Sequence, residues 1–289
     1  MSRSLYRDRQ IQPLALQETH GPLTVRLEWG YADANIILIG YRIRSTPSAI
    51  TPYRILLQDA GGRTLPYITS QGVAGASQIF GLSLPAGESV FIAASDPWAL
   101  PGWPADYSDE LSLRLIMELV PTAPQMPASP SLSNPAPGTQ VPATAIHTPA
   151  DVSLSPFVFT FSLRVLPGEA WGSPQTTQAG GISLTLTRWV RSPSGARARL
   201  CFSPADPHRQ WLPIAEWIIP GAVIPGEAVP VSWDPPTEIC RDLFFPISHS
   251  HGAPSGPTSL RILELIGWDR EDPQAPLLRH PGPWIFKVP

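Results

Sequence analysis

From Leu23 the chain alternates cleanly, with Leu23, Val25, Leu27 and Trp29 on one side and Thr24, Arg26 and Glu28 on the other. Period two with β-branched and aromatic residues predicts a half-buried strand, here with Trp29 on its core face. Tyr31-Ala32-Asp33-Ala34-Asn35 supplies a turn, because Asp and Asn side chains bond nearby backbone groups, and Ile36 to Ile43 returns as a second strand. The same pattern recurs 159 positions later. Leu23, Val25 and Leu27 fall on Ile182, Leu184 and Leu186, while Ile39, Tyr41 and Ile43 fall on Ala198, Leu200 and Phe202. The second turn is Ser192-Pro193-Ser194-Gly195, where proline presets φ and glycine accepts a positive φ. Different residues meet the same turning requirement, which supports the repeat more than identity would.

Further strands are predicted at Tyr53 to Gln58, Ile79 to Leu84, Ser89 to Ala93 and Leu111 to Leu119. Residues 208 to 223 read as a mixed section, followed by strands at Glu227 to Trp233, Ile239 to Ile247, Leu260 to Ile266 and Trp284 to Val288. No stretch carries apolar residues at helical spacing over three turns. Residues 121–155 contain eight prolines and one charged residue, Asp151, and are expected to be extended or disordered. The repeat places this segment inside the first copy rather than between copies. Ser112-Leu113-Arg114-Leu115 recurs as Ser259-Leu260-Arg261-Ile262, and Pro156-Phe157-Val158-Phe159 as Pro283-Trp284-Ile285-Phe286. Each copy thus ends on a long strand, a loop and an aromatic closing strand. The expected division is a polar lead-in (1–13), a first β-sandwich (14–167) and a second (168–289). The fold class is all-β, two tandem immunoglobulin-like β-sandwich domains.

Composition narrows the function. The 289 residues are only 15% charged with a net charge of −3, which excludes the basic face a nucleic-acid binder needs. The 37 prolines and 22 glycines fit many short elements and turns. No apolar run approaches the ~18–20 residues of a membrane span. The opening MSRSLYRDRQIQPLALQ has no apolar core of a signal peptide. Two readings stay open: a cytoplasmic protein, or an envelope protein whose export or anchor segment lies upstream of this sequence.

Gly21-Pro22-Leu23-Thr24-Val25-Arg26-Leu27-Glu28-Trp29, running into Tyr31-Ala32-Asp33-Ala34-Asn35, resembles the extracytoplasmic β-sandwich region of bacterial anti-sigma-factor-like membrane proteins, a domain of unknown function. Ile182 to Thr187 with Leu200-Cys201-Phe202 resembles the immunoglobulin-like domain that follows it. The resemblance covers most of residues 14–289. It implies a sandwich fold and a place outside the cytoplasmic membrane, and it carries over no catalytic or binding residue. The sigma-binding segment and membrane span of full-length relatives have no counterpart in this sequence, and neither does the His and paired-Cys cluster of a zinc-binding anti-sigma motif.

Candidate chemistry is sparse. Cys201 and Cys240 fit one disulfide or two free thiols. If Ala198, Leu200 and Phe202 face the core, Cys201 points outward, where a lone cysteine fills no core, and this favours the disulfide in an oxidising compartment. Trp98, Trp103 and Tyr107 lie in one Pro-rich loop and form either an exposed platform for a glycan or a cap on the open end of the sandwich; the cap is favoured. His249 and His251 share a strand face, with His208 or Asp206 as further ligands, but a zinc site needs three or four converging groups and no metal is assigned. Asp106, Asp109, Glu110 and Glu216 are the carboxylates available for acid–base work, and nothing marks a partner that would raise their pKa. No catalytic residue and no cofactor is assigned, and nucleophile-elbow, phosphate-loop and dinucleotide motifs are absent. The expected role is a non-catalytic sensory, interaction or spacer module of a bacterial envelope protein, partnered by another envelope protein or a cell-wall glycan. A carbohydrate-binding module is the alternative, and a hydrolase on a β-sandwich the third.

Overall fold

A computed structural model describes residues 10–45, 50–72, 87–103, 109–121, 155–203, 206, 209–229, 239–247, 257–269, 271–272 and 274–289. The first half contains β1 (Gln12–His20), β2 (Leu23–Asp33), β3 (Ile37–Ser45), β4 (Ile50–Asp59), β5 (Thr64–Leu65), β6 (Tyr67–Gly72), β7 (Glu88–Ser95), β8 (Glu110–Pro121) and β9 (Phe157–Leu166). The second contains β10 (Glu169–Trp171), β11 (Gln175–Ala179), β12 (Ile182–Ser192), β13 (Gly195–Phe202), β14 (Arg209–Ile219), β15 (Ala222–Pro225), β16 (Glu227–Val229), β17 (Ile239–Pro246), β18 (Thr258–Asp269) and β19 (Leu278–Val288). Apart from one 3-10 turn, Pro97–Ala99, every regular element among the described residues is a strand, so the protein is all-β and sandwich-like.

Both halves pair their strands in the same way. In the second, β10-β12-β13-β17-β16, with β11 also on β12, faces β15-β14-β18-β19. In the first, β1-β2-β3-β7-β6 faces β5-β4-β8-β9, and a short parallel contact of β9 with β2 (Ala32↔Val165, Asp33↔Leu166) joins the two layers. β8 and β9 are antiparallel neighbours from Glu110↔Arg164 to Met117↔Phe157. The proline-rich segment between them therefore links two strands of the first half, as the repeat required, although residues 122–154 themselves lie outside the described residues. So do residues 79–84, one of the expected strands.

The 159-residue offset holds down to an irregularity. Leu27 pairs Tyr41 and the next partner pair is Trp29↔Gly40, leaving Glu28 as a β-bulge; Leu186 pairs Leu200 and the next pair is Arg188↔Arg199, leaving Thr187 as the same bulge. A bulge inserts one residue and so reverses which face every later side chain meets. That corrects the expectation for Trp29. It faces away from the main core and lies over Gly40, where a Cβ would sit 2.1 Å from the indole Cε2. In the second half the same reversal turns Trp189 inward.

Three other expectations change. β1 begins at Gln12, inside the presumed lead-in, with half-buried residues alternating with exposed ones from there to His20. The section read as mixed is one strand, β14, alternating buried Trp211, Pro213, Ala215, Trp217 and Ile219 with half-buried neighbours. The closing strands align two residues away from the sequence match, because Phe159 lies opposite Leu115 and Trp284 opposite Ile262. A two-residue shift preserves the face, so the aromatic pattern hid it.

One core fills the first half, including Leu27, Ile39, Tyr41, Leu113, Leu115, Phe157 and Leu163. A second is built around Trp189, Trp211, Trp217 and Trp284, all fully buried. Each such ring removes roughly 150–250 Å² from water, worth on the order of 4–6 kcal/mol before entropy is counted. Trp217 Nε1 donates to Thr258 Oγ1 (3.1 Å) and Trp284 Nε1 to Ile182 O (2.9 Å), so these two rings keep their N–H groups paired, whereas Trp189 Nε1 is buried with no partner among the described residues. The first core also takes in one residue of the second half, Val190.

Candidate functional site

Val190 marks a joint between the halves, where two turns meet. At the β2–β3 turn, Asp33 Oδ1 accepts from Asn35 N (2.8 Å) and Ile36 N (3.0 Å), the bonds that make an Asx turn. Its Oδ2 accepts from Tyr31 OH (2.5 Å) and, across the joint, from Ser194 N (2.9 Å). Asn35 Nδ2 lies within reach of three acceptors of the second half: Val190 O (3.1 Å), Ser192 Oγ (2.9 Å) and Gly195 O (3.1 Å). The β12–β13 turn can come this close because Gly195 has φ 149°, and a Cβ there would stand 2.2 Å from Phe245 O. Burial first, and then the Asp33 carboxylate, push the Tyr31 phenol far above its ordinary value, so it serves as a fixed donor.

Beside the turns, the loop after β7 lies on the outer face of β13 and β17. Trp98 Nε1 and Trp103 Nε1 both donate to Ala34 O at 2.9 Å and pin the loop to the β2–β3 turn. Asp96 caps the 3-10 turn through Trp98 N (2.8 Å) and receives Arg197 through Nη1–Oδ1 (2.5 Å) and Nη2–Oδ2 (2.8 Å). Arg197 Nη2 also reaches Asp242 Oδ2 (2.5 Å), and Arg199 binds Asp242 through Nε (2.8 Å) and Nη2 (3.0 Å). The Arg197 and Asp242 side chains are 1% and 0% exposed. The Trp98 ring centroid lies 4.1 Å from Arg188 Cζ and 4.2 Å from Arg197 Cζ, two cation–π contacts. Arg188 also donates to Trp103 O; burial, with Arg199 and Arg197 beside it, holds its guanidinium below the ordinary value.

Each oxygen of Asp96 and Asp242 is engaged by a guanidinium. Charges committed to one another in this way hold a geometry. The joint is thus a lock whose charged groups are paired on the other half or on a neighbouring strand, with Asn35 Oδ1 and Arg197 Nε left buried without a partner among the described residues.

The residues picked out by sequence divide around it. Trp98 and Trp103 are 6% and 3% exposed, so neither indole offers a surface platform; they cap the first core and seal the joint. Tyr107, Asp106, His208, His249 and His251 lie outside the described residues. Cys201 and Cys240 are direct register partners on β13 and β17 and form a disulfide, with Cα atoms 4.1 Å apart. Cys201 is outward, as its alternation predicted, yet only 4% exposed, with Thr187 Oγ1 3.8 Å from its Sγ. Glu216 is paired with Arg261 (2.5 Å), Asp206 with Arg209 (3.2 Å), and Asp109 and Glu110 are exposed. Among the described residues no three His, Cys, Asp or Glu side chains gather as a metal site, and no helix is long and apolar enough to cross a membrane. Asp33, Asn35, Asp96, Arg197 and Asp242 were not singled out from sequence as functional; the one signal was the unusual Tyr31–Asn35 turn.

No family model matches the chain, and no curated protein matches it. Among solved structures it is similar to the crystal structure of the conserved domain protein from Bacillus anthracis, with a TM-score of 0.60 at 8% identity over 99% of this chain and 93% of that one. A likeness at that identity concerns the fold, and it runs through both halves.

Proposed function

We propose that this chain is a non-catalytic, extracytoplasmic module of a bacterial envelope protein, built as two tandem immunoglobulin-like sandwiches (14–167 and 168–289) held at a fixed angle for a spacer, sensory or interaction role. The observation that carries the reading is the buried Asp96–Arg197–Asp242 system, which spans the two halves. A buried ion network is a poor source of net stability but a strict determinant of geometry, because any displacement leaves a desolvated charge unpaired. Its place between the halves fits a protein whose work is to hold an orientation. The Cys201–Cys240 disulfide is compatible with an oxidising compartment, and the sequence resemblance points to the same place. Its partner on this reading is another envelope protein or a cell-wall glycan. Small-angle scattering of the purified chain tests the fixed angle. A single arrangement of the halves is expected to fit the data, and a requirement for an ensemble of angles would remove the spacer reading.

A further inference from the structure

The internal repeat supplies a control for which surface residues the fold itself demands. On the outer face of β1, β2, β3 and β7, away from the joint, Gln17, Thr24, Arg26, Glu28, Arg42, Arg44 and Glu88 line a groove of about 290 Å³. At the 159-residue offset, Gln17, Thr24, Arg26, Glu28, Arg42 and Arg44 become Thr176, Ser183, Thr185, Thr187, Cys201 and Ser203. Those six positions carry no charge in the second half, on the same strands and around the same bulge. Arg26, Glu28, Arg42 and Arg44 are therefore not a requirement of the fold.

Within the groove the charges are unevenly satisfied. Arg42 takes both carboxylates, through Nε to Glu28 (3.0 Å) and Nη1 to Glu88 (2.7 Å), and those contacts fix it as a floor. Arg26, opposite Gln17 and Arg42, and Arg44, opposite Thr24 and Glu88, are exposed and have no hydrogen-bond or ion-pair partner among the described residues. They are diagonal neighbours on adjacent strands, about 7–8 Å apart at the backbone, within reach of one small group between their side chains. Two guanidinium forks without partners on one face suit a carboxylate or phosphate, and the three arginines and two glutamates of the groove leave it one net positive charge.

We propose that this groove is an oxyanion-binding site, in which Arg26 and Arg44 grip a carboxylate or phosphate of the ligand while Arg42, its charge met by Glu28 and Glu88, forms the floor beneath them. The site lies on the first half alone and stands whether or not the angle between the halves is fixed. The test titrates the intact protein with inorganic phosphate and, separately, with malonate at constant ionic strength, with sodium chloride as control, while arginine Nε–Hε NMR signals are followed. Saturable shifts at Arg26 and Arg44 are expected, with a Kd of about 1 mM or tighter. The stronger of the two anions identifies whether phosphate or carboxylate is the ligand group. Arg26→Gln and Arg44→Gln are each expected to weaken binding about tenfold and the double variant to abolish saturation, with the unfolding midpoint unchanged because both side chains are exposed. Shifts that follow chloride equally, or saturation that survives in the folded double variant, would overturn the assignment.

Discussion

Arg197 and Asp96, 101 residues apart in the chain, meet in a buried two-pronged ion pair, Nη1–Oδ1 2.5 Å and Nη2–Oδ2 2.8 Å, with Asp242 closing the far side of the guanidinium at 2.5 Å. Removing the cation alone strands the buried Asp96 carboxylate and leaves Asp242 with Arg199 as its remaining cation. Arg197→Met is expected to cost about 3–5 kcal/mol in denaturant unfolding. Replacing Asp96 and Asp242 by Leu in the same background is expected to recover more than half of that loss, since a well-packed apolar cluster can stand in for a buried ion network. A triple variant no more stable than the single one would show that the carboxylates are not the source of the cost.

The turn contacts form a second, separable part of the joint. Asn35→Ala removes the donor shared by Val190 O, Ser192 Oγ and Gly195 O. At about 1 kcal/mol per bond, the loss should come to about 2–3 kcal/mol. Scattering from this variant should report a wider spread of angles between the halves, with each half still folded by tryptophan fluorescence.

Alkaline pH probes the two buried phenols. Burial raises Tyr41 above the ordinary value of 10.0, and burial with Asp33 raises Tyr31. A raised value means the folded state keeps a proton that the unfolded chain releases. Stability is then complete below about pH 10 and declines above it, by about 1.4 kcal/mol per pH unit for each tyrosine. Tyr41 OH has no partner among the described residues, so Tyr41→Phe should change neutral-pH stability by less than about 1 kcal/mol and halve the alkaline slope. Unfolding free energies between pH 9 and 11.5 would check both statements.

The disulfide gives a compartment test and a stability test together. In protein from its native source, Cys201 and Cys240 should resist alkylation under denaturing conditions until reduced, and intact mass reads this directly. Cys201→Ser/Cys240→Ser opens a closure spanning 39 residues, for which the chain-entropy model predicts a loss of about 4 kcal/mol. Immediate alkylation of the native-source protein would point to a reducing compartment and away from the envelope.

Because β8 and β9 are antiparallel neighbours, residues 122–154 can be replaced by a short turn, as β18 and β19 are joined across 270–277. Loop-closure entropy predicts a gain of about 1 kcal/mol from this shortening. A thermal melt that falls instead would reveal contacts made by the segment itself.

Much of this architecture was legible in the alternation of apolar residues. The organising hairpins, the long β8 and β18 strands and the home of the proline-rich segment all follow from period two and the repeat, and each appears in the structure. The bulges at Glu28 and Thr187 were not legible, since nothing in the residue types announces an inserted position; Trp29 was assigned to the wrong face as a result. Pro213 and the two tryptophans disguised β14. Proline fits there because β15 extends only to Glu216, leaving one side of the strand open at Pro213. The joint was hidden for another reason. Arg197 and Arg199 alternate with core residues as a solvent-facing row would, and only the fold brings Asp96 across to cover them.

Pro167 and Gly168 are all that separates β9 from β10, and Gly168 is packed so tightly that a Cβ there would stand 2.5 Å from the Ala34 Cβ. There is consequently no tether on which the second half could swing. A bending load on one half reaches the other both through this two-residue covalent step and sideways through the Arg197 lock. On the proposed spacer reading, the chain would act as a lever arm, passing on the direction of a force as well as its size.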